Sequence, residues 1–278
     1  MGEQSQRRWV APSRRAVLTT LVLAGCGGAV HAARAKTPPT GSTSSGVPAA
    51  TSTTPATTPA APTSAAVSAS PAPTGVAGGP ALEIVNGSRA KAQVALTFHG
   101  NGDPALAEAL LRAAEAKGAH ITVFAVGNWL AVNQALGKRI LASGHGLANH
   151  TYTHPDLSVL SETGVEQEFA KARDVLVQIS GSNGLYARPS QMNRSTPQVR
   201  AAAAAAGYQT VVAFDVDPSD YLDPGASLVI SRTLAGVQRG SIVSMHLGHA
   251  GTVQALPAIL DGLAARDLTP VTVQTLLA

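Results

Sequence analysis

Asn149-His150-Thr151-Tyr152-Thr153-His154-Pro155 is the stretch on which the reading of this chain turns. Two imidazoles four residues apart fall on one side of a single helical turn, an arrangement by which a short segment grips a divalent metal. Alone, the pattern is short enough to arise as a chance pair of surface or core histidines. Its meaning depends on what the rest of the chain brings towards it.

Outward from this stretch the chain alternates between apolar runs of strand length and segments with helical periodicity. Strands are predicted at 94–98, 121–126, 185–187, 210–214, 242–245 and 271–273, with a strand or turn near 146–148. Helices are predicted at 104–117, 129–143, 162–179, 197–206, 228–236 and 252–265, the clearest being 162–179 with Phe169, Ala172, Val175 and Leu176 on one stripe. Strand–helix alternation implies an α/β fold with a parallel sheet and helices outside. About seven such units predict a distorted (β/α) barrel rather than an open sheet. Chemistry in such barrels collects at the C-terminal strand ends. Those positions carry His99, the pair His150 and His154, Arg188, then Asp215, Asp217 and Asp220, and finally His246 and His249. Any one of them reads as a solvated loop residue; all of them on one rim read as a site.

The first 80 residues are of a different kind. Arg7, Arg8, Arg14 and Arg15 lead into the apolar run 16–25, too short to span a bilayer and the size of a signal-peptide core. Ser13-Arg14-Arg15 resembles a twin-arginine export signal, and Leu23-Ala24-Gly25-Cys26 resembles a lipobox whose cysteine is acylated. Cys26 is the only cysteine, so no disulfide can form within one chain. From Thr37 to Pro80 there is no charged residue, only Thr, Pro, Ala, Ser, Gly and Val. Such a segment cannot offset its chain entropy by burial and is expected to be an extended tether. The expected organisation is therefore a signal peptide over 1–26, a linker over 27–80 and a folded domain over 81–278. The expected location is outside the cytoplasm, on the membrane through a lipid anchor. The charge follows the same division. Residues 1–80 hold six basic side chains against Glu3, a balance of +5, whereas 81–278 hold 14 basic against 15 acidic, a balance of −1. The basic excess belongs to the leader and gives no support to nucleic-acid binding.

From Val94 onward the chain resembles a polysaccharide deacetylase of the NodB-homology type (carbohydrate esterase family four). His150-Thr151-Tyr152-Thr153-His154 matches the family's metal-binding H-[ST]-x-x-H, and Arg188-Pro189-Ser190 its arginine–proline segment lining the groove. Asp217-Pro218-Ser219-Asp220-Tyr221 matches D-x-x-D-W with tyrosine for tryptophan, and Ser244-Met245-His246 matches L-x-H with serine for leucine. The resemblance implies hydrolysis of an N-acetyl group on a polysaccharide, with peptidoglycan suiting a tethered surface protein. It implies a divalent metal, zinc first, on His150 and His154, with His246 as acid and Asp220 steering it. Pro189, Ser190 and Tyr221 would line the substrate, and a monomer is expected.

The departure lies in the first motif. The family's T-F-D-D-G-P supplies a base from its first aspartate and a metal ligand from its second. Here Thr97-Phe98-His99-Gly100-Asn101-Gly102-Asp103-Pro104 puts His99 at the base position and Gly100 at the ligand position. His99 is the candidate base, and Arg188, having lost a carboxylate partner, faces an imidazole it is not expected to bridge. Asp103, His99 and His249 are the candidates for a third ligand. The alternative to turnover is a protein that uses the same groove to hold a glycan without hydrolysing it. Among lesser signals, Trp129 reads as packing, Gly100-Asn101-Gly102 as a permissive loop without the lysine of a P-loop, and His120 and His145 as structural.

Overall fold

The computed structural model describes residues 79–278. The leader, Cys26 and the linker up to residue 78 lie outside the described residues. In chain order the elements are β1 (Leu82–Ile84), β2 (Gln93–Gly100), α1 (Pro104–Ala116), β3 (Thr122–Ala125), α2 (Gly127–Val132), α3 (Gln134–Ala142) and β4 (Gly146–Asn149). There follow α4 (Glu162–Ser180), α5 (Pro197–Ala205), β5 (Thr210–Val212), α6 (Ala226–Gly236), β6 (Ile242–His246), α7 (Ala250–Ala264), β7 (Thr269–Pro270) and α8 (Val273–Leu277).

Every strand pair is parallel. One sheet runs β4-β3-β2-β6 with β7 also on β2, and β1 pairs β5 in a second. Single-residue bridges from Ala187 to both Asn149 and Val211 connect the two sheets, and a bridge from Val216 to Val243 continues past β6. The α/β reading holds, and the strands curl as in a distorted barrel whose wall thins to one residue at Ala187. Alternation along β2 divides the core. Val94, Leu96 and Phe98 join Leu110, Leu111 and Leu256 between the sheet and its helices. Ala95 points the other way, with Phe124, Ala148, Tyr186 and Val212 in the interior. A strand covered on both faces reads as a continuous apolar run, which is why β2, β3 and β6 are the legible ones.

Helix starts follow their caps. Asp103 accepts from the Ala105 amide at 2.8 Å with Pro104 in the first turn, and Ser161 and Thr196 accept from Gly164 and Val199 at the heads of α4 and α5. Four expectations need correction. The strand at 185–187 makes only the bridges at Ala187. The strand at 271–273 is displaced to β7, because Thr272 caps α8 by accepting from Thr275. The helix at 129–143 is two helices broken at Asn133, whose backbone leaves the helical region. The three-residue β1 was not foreseen, being too short to show alternation. No described helix is long and apolar enough to cross a membrane.

Candidate active site

The histidine pair does not sit on a helical turn. After β4 the chain enters a loop in which Thr151 and His154 both take left-handed backbone angles (φ 64° and 60°), a conformation unfavourable for side-chain-bearing residues by roughly 1–2 kcal/mol. Neighbouring polar groups hold it. Asn149 Oδ1 accepts from the Thr151 amide at 2.8 Å, while its Nδ2 donates to Phe169 O and Tyr208 Oη. Glu168, on α4, accepts from the Tyr152 and Thr153 amides and from Thr153 Oγ1 within 2.9 Å. The result is the pairing that spacing suggested, by another route: the His150 and His154 ring centroids are 4.9 Å apart.

The chemistry of the pair can be read from its protons. His150 Nδ1 faces the Arg188 carbonyl at 2.9 Å; a carbonyl only accepts, so Nδ1 carries the proton. The lone pair is then on Nε2, which is buried and has no protein partner. A ring fixed through Nδ1 with a bare Nε2 is the condition of a metal-ligating histidine. Burial first, then His154, pushes the His150 imidazole well below its usual pKa, and burial and His246 lower His154. Both are neutral at pH 7, as a ligand must be. The pair therefore fits two positions of a divalent metal, but among the described residues no set of three His, Cys, Asp or Glu is arranged to hold one.

Beside the pair runs a chain of hydrogen bonds with one direction. Arg188 is buried, and its guanidinium donates to Val212 O, Ala213 O, Thr97 Oγ1 and, at 3.2 Å, His99 Nε2. It also lies over the Phe124 ring at 4.1 Å. No carboxylate is within salt-bridge distance of it among the described residues, and burial lowers its pKa to about 9. Contrary to expectation, the arginine does bridge the imidazole. His99 Nδ1 meets His246 Nε2 at 2.9 Å, and His246 Nδ1 meets Asp220 Oδ1 at 2.8 Å. Asp220, buried, takes two further donors, the His246 amide at 2.8 Å and Thr252 Oγ1 at 2.6 Å. His99 stacks on His150 with centroids 4.1 Å apart, so the 150/154 pair and His246 are joined through His99.

These groups open on a cleft of about 380 Å³ lined by His99, His154, Pro189, Asp217, Tyr221, Ser244 and His246, among others. Tyr221 is 44% exposed, with its ring 5.6 Å from that of His246, placed as a side wall. Several expected residues stand elsewhere. Ser190 is buried and donates to Pro155 O at 2.6 Å, tying two loops together rather than facing the cleft. Asp103 is occupied as the cap of α1, and His249 hydrogen-bonds Asp223 at 2.8 Å, so neither is a third ligand here. Asp215 pairs with Arg89 and accepts from the Ile242 amide at the start of β6, the end of the barrel away from the cleft. Gly100 has no room for a side chain as the backbone stands. A Cβ there would meet Val123 Cγ1 at 2.8 Å and Ala125 Cα at 3.0 Å, pointing into β3. Trp129 packs as expected, and its indole N–H donates to Gly102 O at 2.8 Å, fixing the glycine loop. Sequence reasoning missed Asn149, Glu168 and Thr252. Only Glu168 and Asn149 carried a signal, an acid next to the apolar stripe of α4 and an amide flanking the histidine motif.

A family profile described as polysaccharide deacetylase matches residues 86–211. A chitooligosaccharide deacetylase of Bradyrhizobium sp. (strain ANU 289) is 33% identical over 169 residues, which cover 59% of this chain and 74% of that protein. This chain belongs to the polysaccharide deacetylase family. A peptidoglycan-N-acetylglucosamine deacetylase of Bacillus cereus is 29% identical over 188 residues, 66% of this chain and 87% of the relative. Among solved structures, the peptidoglycan N-acetylglucosamine deacetylase Bc1960 matches with a TM-score of 0.66 and 26% identity over 70% of this deacetylase-family chain and 92% of its own. A pseudoenzyme of carbohydrate esterase family 4 from Bacillus anthracis shares the fold, with a TM-score of 0.67 at 21% identity over 71% of this chain and 69% of its own.

Proposed function

We propose that this chain is a metal-dependent hydrolase that releases acetyl groups from an N-acetylated polysaccharide, with peptidoglycan as the substrate. The single observation that carries the reading is the bare, buried Nε2 of His150 beside His154, which lines the same cleft as the Asp220-steered His246. His150 and His154 would hold the metal, zinc being suited to imidazole ligands. When bound, such an ion polarises the acyl carbonyl and makes a water acidic at neutral pH. The chain's own residues do the rest. Asp220 keeps His246 with its Nδ1 protonated and its Nε2 directed to the cleft, where a proton must move. Arg188 holds His99, and Tyr221 and Pro189 form a wall against which a sugar ring can lie. The twin-arginine leader and Cys26 support an exported lipoprotein, with the linker carrying a monomeric domain into the wall.

The test takes the full chain, measures bound zinc, and follows acetate release from N-acetylglucosamine oligomers and from peptidoglycan. Zinc with turnover, both lost in His154→Ala, is the expected result. A second reading is favoured by two observations: His246 Nε2 is engaged by His99, and among the described residues only His150 and His154 converge as metal ligands. If zinc and acetate release are both absent while the glycan still binds, the chain is a glycan-binding member without turnover. Loss of palmitate labelling in Cys26→Ser checks the anchor.

A further inference from the structure

The first motif of this chain exchanges an aspartate for His99, and the hydrogen bonds around that ring fix which of its nitrogens holds the proton. A guanidinium has donors only, so the Arg188 contact at 3.2 Å requires a lone pair on His99 Nε2. A neutral His99 then carries its proton on Nδ1. That proton faces His246 Nε2 at 2.9 Å, which must accept, and His246 in turn donates its Nδ1 proton to Asp220 at 2.8 Å. The direction of the chain is set at both ends, by a cation that cannot accept and by a buried carboxylate that is already receiving the His246 amide and Thr252.

We infer that His99 is not the base of this site but a fixed hydrogen-bond donor to the acyl oxygen, and that His246 serves first as base and then as acid. The inference rests on the hydrolase reading above. Substrate and water entering the cleft replace the mutual His99–His246 bond, leaving a donor on one side and a lone pair on the other. As water attacks the acyl carbon, His246 Nε2 takes its proton, and the carbonyl electron pair moves onto the oxygen, which receives the His99 Nδ1 hydrogen bond. On collapse the carbon–nitrogen bond breaks with its electron pair on nitrogen. That nitrogen takes the proton from His246 Nε2, leaving a free amine and a carboxylic acid, which then loses its proton to solvent. One histidine thus performs both transfers, as an imidazole backed by a carboxylate does elsewhere in acyl-transfer chemistry. A neutral imidazole acting as donor at a developing oxyanion is equally sound, because a donor aimed at that oxygen stabilises the transition state more than the ground state.

Asparagine superposes an N–H on the imidazole Nδ1 but has no basic nitrogen, so it separates the two roles. His99→Asn is expected to keep acetate release within about tenfold of the parent protein, while His99→Ala loses about 100-fold, the usual consequence of removing one oxyanion donor. Equal loss in both variants means that His99 is the base and overturns the inference. A second measurement is independent of turnover: ¹⁵N chemical shifts of the parent protein at pH 7.5 are expected to show His99 protonated at Nδ1 and bare at Nε2. The opposite tautomer, or an imidazolium, overturns it whatever the kinetics. Absence of acetate release from the parent protein overturns the hydrolase reading and the catalytic role of His99 together, and the tautomer still tests the hydrogen-bond assignment separately.

Discussion

Replacing Gly100 by aspartate restores the letter of the family's first motif, but the structure leaves no room for the side chain. Gly100 lies at the end of β2, paired to Ala125 of β3. A Cβ built there stands 2.8 Å from Val123 Cγ1, 3.0 Å from Ala125 Cα and 3.3 Å from Ala125 Cβ. Contacts this short force β2 and β3 apart, and overpacking of this kind costs about 1–3 kcal/mol. The carboxylate would then emerge beside Val123 and Ala125, both part of the apolar core. An unpartnered polar group there adds at least another ~1 kcal/mol. The sum is about 2–4 kcal/mol of lost stability with no gain in metal binding. At a urea slope of roughly 2 kcal/mol per molar, the Gly100→Asp midpoint falls by about 1–2 M. Urea unfolding followed by circular dichroism, with a zinc titration alongside, measures both. An unchanged midpoint with zinc bound at least tenfold more tightly would refute the reasoning, because it would place the side chain in the cleft.

Three further outcomes follow from the same geometry. Burial first, then neighbouring histidines, hold His99 and His150 well below the usual imidazole pKa. The unfolded chain therefore binds protons below about pH 6.5 that the folded chain refuses. Stability of the metal-free protein is full above that value and falls by about 1.4 kcal/mol per pH unit for each group below it. Equal urea midpoints at pH 7.5 and 5.5 would contradict this. Thr252→Val removes a donor from a buried carboxylate and should cost about 1–3 kcal/mol in thermal unfolding, with Thr252→Ser close to the parent. If valine and serine behave alike, the hydroxyl does not support Asp220. Glu168→Ala frees two loop amides and should weaken zinc binding by about 10- to 100-fold, as loss of an outer support does at metal sites, and calorimetry that finds the parent affinity would exclude that role.

The sequence alone determined the class of fold and most of the elements. The buried strands β2, β3 and β6 are apolar on both faces, and the helix starts at Pro104 and Pro197 are written in residues that satisfy orphan amides locally. It also determined which side chains gather, since His99 and His246 end two strands of one parallel sheet and Arg188 follows the bridge at Ala187. Tertiary structure decided what those side chains do. Where a Cβ at position 100 would point depends on the pleat of β2 against β3. The histidine pair converges through a strained loop held by Asn149 and Glu168, and not through helical spacing. The proton on His99 depends on an arginine 89 residues away. Local signals report interactions within a few residues, whereas the direction of a hydrogen-bond chain is fixed by partners that only the folded chain brings together.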